Sequence, residues 1–462
     1  MQQDASIKIT APLAAFCADL SVERIPFQVV ARARLLVVDL LGAIVRARAE
    51  AAAASTLIAM VKTLGWSNGH SRVFGDEVCH GPAGAAFLNA SLGHALDFDD
   101  THAPGTLHPG AAVIPAAIAA GELIDASGAE VVAGIVAGYE VTCRAAIALP
   151  AGAHYSRGFH PTATCGVFGA AAAAGRVLRL SASQIESALG IALSQSAGSL
   201  QFLSDGAWTK PFQVGWASMA GLSAAVLARQ DFRGASEALE GRHGFLRAYA
   251  PAPVPERVVQ NLGEIYELMS TGVKPYPSCR YGHAGIDAVL ALRAEFELKP
   301  DEVEKITYGL SNAGLLLVGE PPETKQNPTN IVGAQFSAPF VLATALATGK
   351  MDWDSYQGLN DPVIRSLMPR VESVHDAEIE AEFPKNMAGK ITLFARGRKF
   401  VRKVIVPLGE PGNFMSEAAI LAKYESLAVP RLGAGARVLA STALRLDQLG
   451  RISDLTRYAF PI

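Results

Sequence analysis

The sequence predicts a mainly α fold, with a large all-helical domain built from both chain ends and a smaller inserted α+β domain. Three observations carry that expectation. Residues 1 to about 265 read as successive helical periods, the texture turns to alternating β-rich runs after about 266, and helical spacing returns in the tail. At 462 residues the chain is long enough for two domains. Half of it is hydrophobic and only 18% charged, so much of the chain has to be buried, within the fold or between subunits.

Taken in order, "SVERIPFQVVARARLLVVDLLGAIVRA" carries apolar residues at helical spacing after Ser21. After the turn-like "DASG", Gly128 and Ala129 open a second helix, "AEVVAGIVAGYEVTCRAAIAL". "SASQIESALGIAL" starts with a Ser181-x-x-Gln184 capping box and repeats Ile185, Leu189 and Leu193 every fourth residue. The many Ala and Gly residues predict close approach of helix axes. "EKITYGL" (304–310) and "KITLFARGRKFVRKVIVP" (390–407) read as strands, the second a hairpin turning at Arg396-Gly397-Arg398. Between them "AGIDAVLALRAEFEL" and "FSAPFVLATALATG" read as helices, as do "FMSEAAILAKYESLA" and "STALRLDQLGRISDLTRYA" in the tail. The expected domains are therefore 1–266, completed by 406–462, and 267–405.

Several function classes are set aside. A net charge of −3 with no Lys/Arg run offers nothing to nucleic acid. The start "MQQDASIKIT" lacks the basic and apolar regions of a secretory signal. The longest uncharged runs, Ala103–Gly121 and Gly158–Gly175, contain His and Pro with several Gly or Thr, so neither supplies the ~20 predominantly apolar residues of a membrane span. Five cysteines form no C-x-x-C pair, which argues against a disulfide framework or structural zinc and fits a cytoplasmic location. There is no Walker A and no G-x-S-x-G sequence, and "GAGAR" (433–437) reads as a turn, so no nucleotide-type cofactor is expected.

Against this apolar background, "HALDFDDTHAPGTLHPG" (94–110) packs three carboxylates and three imidazoles into seventeen residues. Read as a helix, its first half places His94, Asp97 and Thr101 on one face, with Pro104 and Gly105 ending the helix and a loop returning His108. Asp99 and Asp100 then point elsewhere, one to backbone amides and one to solvent. A second island, "HYSRGFHPTATCG" (154–166), holds His160 just before Pro161, and five of the ten histidines fall between 94 and 160. "DGAWTKPFQVGWA" adds Lys210, and "GVKPYPSCRYGHAGIDA" adds Lys274, Cys279, Arg280 and His283. Each alone has an ordinary structural reading, since Lys snorkels and a single His is commonly a satisfied core group.

Together these residues suit chemistry on a polycarboxylate. Lys and Arg hold carboxylates, while carboxylate and imidazole groups exchange protons near neutral pH. Removing a proton α to a carboxylate builds negative charge that fixed cations stabilise. A competing reading is a metal-dependent hydrolase using His94, Asp97, Asp100 and His108, although their spacing follows no standard metal motif.

On the stretches "GHALDFDDTH…HPGAAVIPA", "GFHPTATCGVFGAAAAA", "TKP…GWAS", "KPYPSCRYGHAGIDA" and "FSAPFVLATALATGK", the chain resembles the MmgE/PrpD family. That family comprises 2-methylcitrate dehydratases, cis-aconitate decarboxylases and iminodisuccinate epimerases. The resemblance implies a large helical domain with a smaller α+β lid, a homodimer, and no required metal or organic cofactor. It also implies active-site positions at Asp97, Thr101, His108, His160, Lys210 and Lys274. Cys279 and Phe340 stand where the decarboxylase branch has a histidine and a tyrosine, whereas "PSC" is similar to the epimerase and many bacterial members. The implied reaction moves a proton at the carbon α to a carboxylate of a small di- or tricarboxylate. Asp97 or His160 would carry the proton and His108 would act as the acid. Lys210, Lys274 and Arg280 would bind carboxylates, and Thr101, His94, Cys279 and His283 would contact the substrate. Dehydration of a 2-methylcitrate-like acid is the first expectation, with decarboxylation and epimerisation as alternatives.

Overall fold

A computed structural model describes residues 7–460. Helix accounts for 59% of the chain and strand for 9%, which makes the fold mainly α. Two compact units emerge, one formed by residues 1–272 with 416–462 and the other by 273–415. The expected joints lay near 266 and 405.

The first unit is a stack of helices around the Pro161–Val177 helix, which packs against Gly128–Ile147, Thr209–Arg229 and Pro109–Ile124. Small residues make that stacking close. A Cβ added at Gly169 would meet Thr142 Oγ1 at 1.7 Å and Gly138 O at 2.6 Å, so these two helices touch backbone to backbone. Capping chemistry sets where helices begin. Ser127–Glu130 and Ser181–Gln184 both form complete capping boxes, opening Gly128–Ile147 and Ala182–Leu193. The first long helix starts at Phe27 rather than after Ser21, because Pro26 is extended and serves as its N-cap. From the tail, Glu417–Leu432 lies against Phe27–Glu50.

The helical reading of 94–101 is corrected. Pro82–Ala95 is the helix, and it ends because Asp97 takes a left-handed conformation, φ 53°. Asp is one of the few residues other than Gly that adopts this conformation readily. Thr101–His102 then form a short strand pairing with Thr271–Gly272, and Ser71–Arg72 pair with Cys79–His80. Two-residue ladders have no period to detect, so the sequence reading passed over them.

In the second unit a four-stranded sheet runs in the order Val371–His375, Val303–Leu310, Gly389–Ala395, Arg398–Val404. The first pair is parallel and the other two antiparallel. The hairpin turns at Arg396 and Gly397, both at positive φ, as a two-residue turn matched to strand twist requires. His283–Glu295 and Ala338–Thr348 pack on the sheet and on each other. Among the described residues no helix is long and apolar enough to cross a membrane.

Candidate active site

The first unit gathers its ionisable groups where three helices begin or end. His94 lies in the last turn of Pro82–Ala95. His108 and His160 are the N-cap residues of Pro109–Ile124 and Pro161–Val177, each followed by a proline at the first helical position. The repeated His-Pro pair thus marks two helix starts, whose positive ends disfavour imidazolium and favour anions. The His94 ring centroid lies 4.9 Å from that of His108 and 5.7 Å from that of His160.

Asp99 joins two of these rings. Its Oδ2 is 2.7 Å from His94 Nδ1 and its Oδ1 is 3.4 Å from His108 Nδ1. Burial pushes the Asp99 carboxyl upward, but the flanking His94 and His108 rings overcome this and hold it well below the carboxylate range. Burial lowers His94 to about 4, against the raising influence of Asp99, so Asp99 is ionised and His94 neutral near pH 7. The expectation that Asp99 and Asp100 divide between backbone and solvent is corrected, because both are buried. Asp100 accepts from Gly110 N at 3.0 Å and from Tyr139 Oη at 2.5 Å, which ties the loop's return to the start of the next helix. Burial raises Asp100 to about 8.

Asp97, turned inward by its left-handed backbone, accepts from Lys210 Nζ at 2.6 Å. Burial works against the Lys210 ammonium, but Asp97 and then Asp99 outweigh it and hold Lys210 above its ordinary value. His160 Nδ1 is 2.9 Å from Gln213 Nε2. Burial, then His94, Lys210 and His108, keep His160 well below the usual imidazole range. Thr101 is buried in the short strand that follows. The loop is held from behind by Lys423, whose Nζ donates to Phe98 O at 2.8 Å, sits 3.8 Å from the Phe98 ring and pairs with buried Asp39 at 2.7 Å.

The first unit therefore brings together five of the residues singled out in the sequence, His94, Asp97, His108, His160 and Lys210. The sequence reading missed Asp99 as the bridge, along with Gln213 and Lys423. Neither Gln213 nor Lys423 carries a sequence signal beyond its residue type. The remaining candidates belong to the second unit. There Lys274 is buried, Cys279 precedes the Arg280–Gly282 turn, Arg280 pairs with Glu410, and His283 Nε2 lies 3.2 Å from Ser278 O. Phe340 is fully buried and stacks on Tyr356, ring centroids 5.7 Å apart.

For a metal, His94, Asp99 and His108 offer ligand atoms within 4.8 Å of one another. This is a different set from the one expected. Asp97 is engaged by Lys210, and Asp100 by Tyr139 and Gly110.

A carboxylate–imidazole–ammonium grouping of this kind within a helical unit is chemically able to move protons and to hold anionic oxygens. The chain belongs to the MmgE/PrpD family: residues 11–257 match the MmgE/PrpD N-terminal domain and residues 276–448 the MmgE/PrpD C-terminal domain. Its relatives include a cis-aconitate decarboxylase of Aspergillus terreus, 27% identical, with 97% of this chain and 95% of that protein aligned. The cis-aconitate decarboxylase of Homo sapiens is 28% identical over 66% of this chain and 64% of its own length.

Proposed function

We propose that this protein is a lyase for a small polycarboxylate, of the cis-aconitate decarboxylase kind. The observation that carries the reading is the Asp97–Lys210 pair beside the His94–Asp99–His108 cluster and His160, all within one unit. In such a reaction the bond to one carboxylate breaks and carbon dioxide leaves. The electron pair stays on the neighbouring allylic carbons, which take up one proton. Lys210, kept charged by Asp97, suits binding of a carboxylate on which charge builds in the transition state. His108, beside ionised Asp99, suits the role of proton donor.

Residue types left dehydration, decarboxylation and epimerisation hard to separate, because all three pass through carbanion-like species. The names borne by the relatives move decarboxylation ahead of the dehydration first expected. The experiment is to incubate the protein in deuterated water with cis-aconitate, 2-methylcitrate and iminodisuccinate in turn. Carbon dioxide release from cis-aconitate with one deuterium in the product supports the proposal. Water loss from 2-methylcitrate, or deuterium exchange without either loss, replaces it with dehydration or epimerisation. The His94–Asp99–His108 grouping favours one second reading, a metal-dependent hydrolase. Stoichiometric bound metal with chelator-sensitive hydrolysis would select that one.

A further inference from the structure

Gln213 lies three residues after Lys210 on the Thr209–Arg229 helix, so the two side chains share a face. Both backbone groups of Ser199 grip its amide. Oε1 accepts from Ser199 N at 2.8 Å, and Nε2 donates to Ser199 O at 3.1 Å. Exchanging the amide oxygen and nitrogen would set acceptor against acceptor and donor against donor, so this hold fixes which end faces His160. The second hydrogen on Nε2 therefore points to His160 Nδ1, 2.9 Å away, and Nδ1 has to accept it. A neutral imidazole that accepts at Nδ1 carries its proton on Nε2. The ring is also held in place from the backbone, where His160 N donates to Gly198 O at 3.1 Å, and by edge contact with Phe202.

The neighbouring ring is set the opposite way. An ionised carboxylate can only accept, so Asp99 puts the proton of His94 on Nδ1 and leaves the lone pair on Nε2. Two imidazoles 5.7 Å apart thus carry opposite tautomers, each dictated by a different partner.

We propose that Gln213 is a positioning residue that locks His160 in its Nε2–H form, making His160 a neutral hydrogen-bond donor to an anionic substrate oxygen and not the base that removes a proton. No bond to hydrogen breaks in this role. The ring supports oxygen charge as it grows and keeps its proton, because the imidazolate that would otherwise form is too basic for neutral water. This rests on the reading of the site as acting on carboxylates. It also withdraws His160 from the pair of residues expected to carry the α-proton.

The test uses the whole protein labelled with 15N-histidine, the His160 signals being identified by their loss in His160→Gln. The expected wild-type spectrum at pH 7 shows Nδ1 unprotonated and Nε2 protonated. Gln213→Glu places an acceptor at Nδ1, so the ring should reverse to Nδ1–H. Turnover of cis-aconitate should then fall ~100–10,000-fold, far beyond the small drop in melting temperature expected from losing the hydrogen bond to Ser199 O. Gln213→Met removes the orienting donor and should give mixed tautomers with a smaller loss. Protonated Nδ1 in the wild type would overturn the proposal, as would a reversed ring in Gln213→Glu with turnover within twofold of wild type. If Gln213→Glu does not fold, an unchanged spectrum and unchanged turnover in Gln213→Met would overturn it equally. The spectrum reads the tautomer whether or not cis-aconitate is the substrate, so a failed substrate assignment stays distinguishable from a failed tautomer.

Discussion

His102 and His154 are as deeply buried as His94 and His160, come from the same two stretches of sequence, and do something different. His102 gives Nε2 to Glu267 at 3.0 Å and accepts Gly105 N on Nδ1 at 3.1 Å. His154 meets Tyr249 O and Thr164 Oγ1 at 3.1 and 3.0 Å. Both rings spend both nitrogens on the protein and act as braces. His94 and His160 each spend one nitrogen on an orienting partner, Asp99 or Gln213. Among these four rings, the number of nitrogens given to the protein tells the two braces from the two rings of the candidate site.

The sharpest way to break this contrast starts at the reactive side. Asp97→Asn should lower turnover of cis-aconitate by ~100–10,000-fold while leaving the thermal melt near that of wild type. Near-normal turnover would remove Asp97 from the chemistry. Lys423→Met should be the most damaging to the fold, costing ~3–5 kcal/mol because buried Asp39 loses its cation. Denaturant titration measures it, and a loss below about 1 kcal/mol would mean that Asp39 is neutral in the folded protein. On the brace side, His154→Ala should cost ~1–3 kcal/mol through stranded polar partners and leave turnover per folded molecule unchanged within twofold. A hundredfold loss of turnover would erase the distinction between the two kinds of ring.

The smallest effect is on pH dependence. The Asp100 carboxyl sits at about 8 in the folded protein, above its unfolded value, so it holds a proton in the fold that the unfolded chain has released. Its contribution is complete below about pH 4 and fades as pH rises through about 8. Asp100→Asn mimics the protonated form and should flatten this fall. The variant should gain about 1 kcal/mol relative to wild type between pH 7 and pH 8. Parallel stability curves would show that Asp100 is already ionised.

Much of this was legible beforehand, for identifiable reasons. Helices long enough to show several periods, the Ser127 and Ser181 caps and the Arg396–Gly397 hairpin are local features, and local sequence encodes them. Asp97, His108, His160 and Lys210 stood out because such residue types are rare in so apolar a chain. What escaped was relational. Asp99 looked like a spare carboxylate until the fold set it between two rings, and one left-handed residue at Asp97 turned an expected helix face into a loop. Gln213 is unremarkable in sequence, and its role depends on Ser199 holding it from the other side.

Lys423 carries one more consequence. The brace behind the Phe98 carbonyl comes from the Glu417–Leu432 helix, more than three hundred residues downstream. A ribosome would have emitted all ten of the histidines before this lysine appeared, so the loop around Asp97 waits for more than three hundred further residues before it gains its support. Clipping the chain ahead of that helix should silence the protein while sparing every residue of the candidate site.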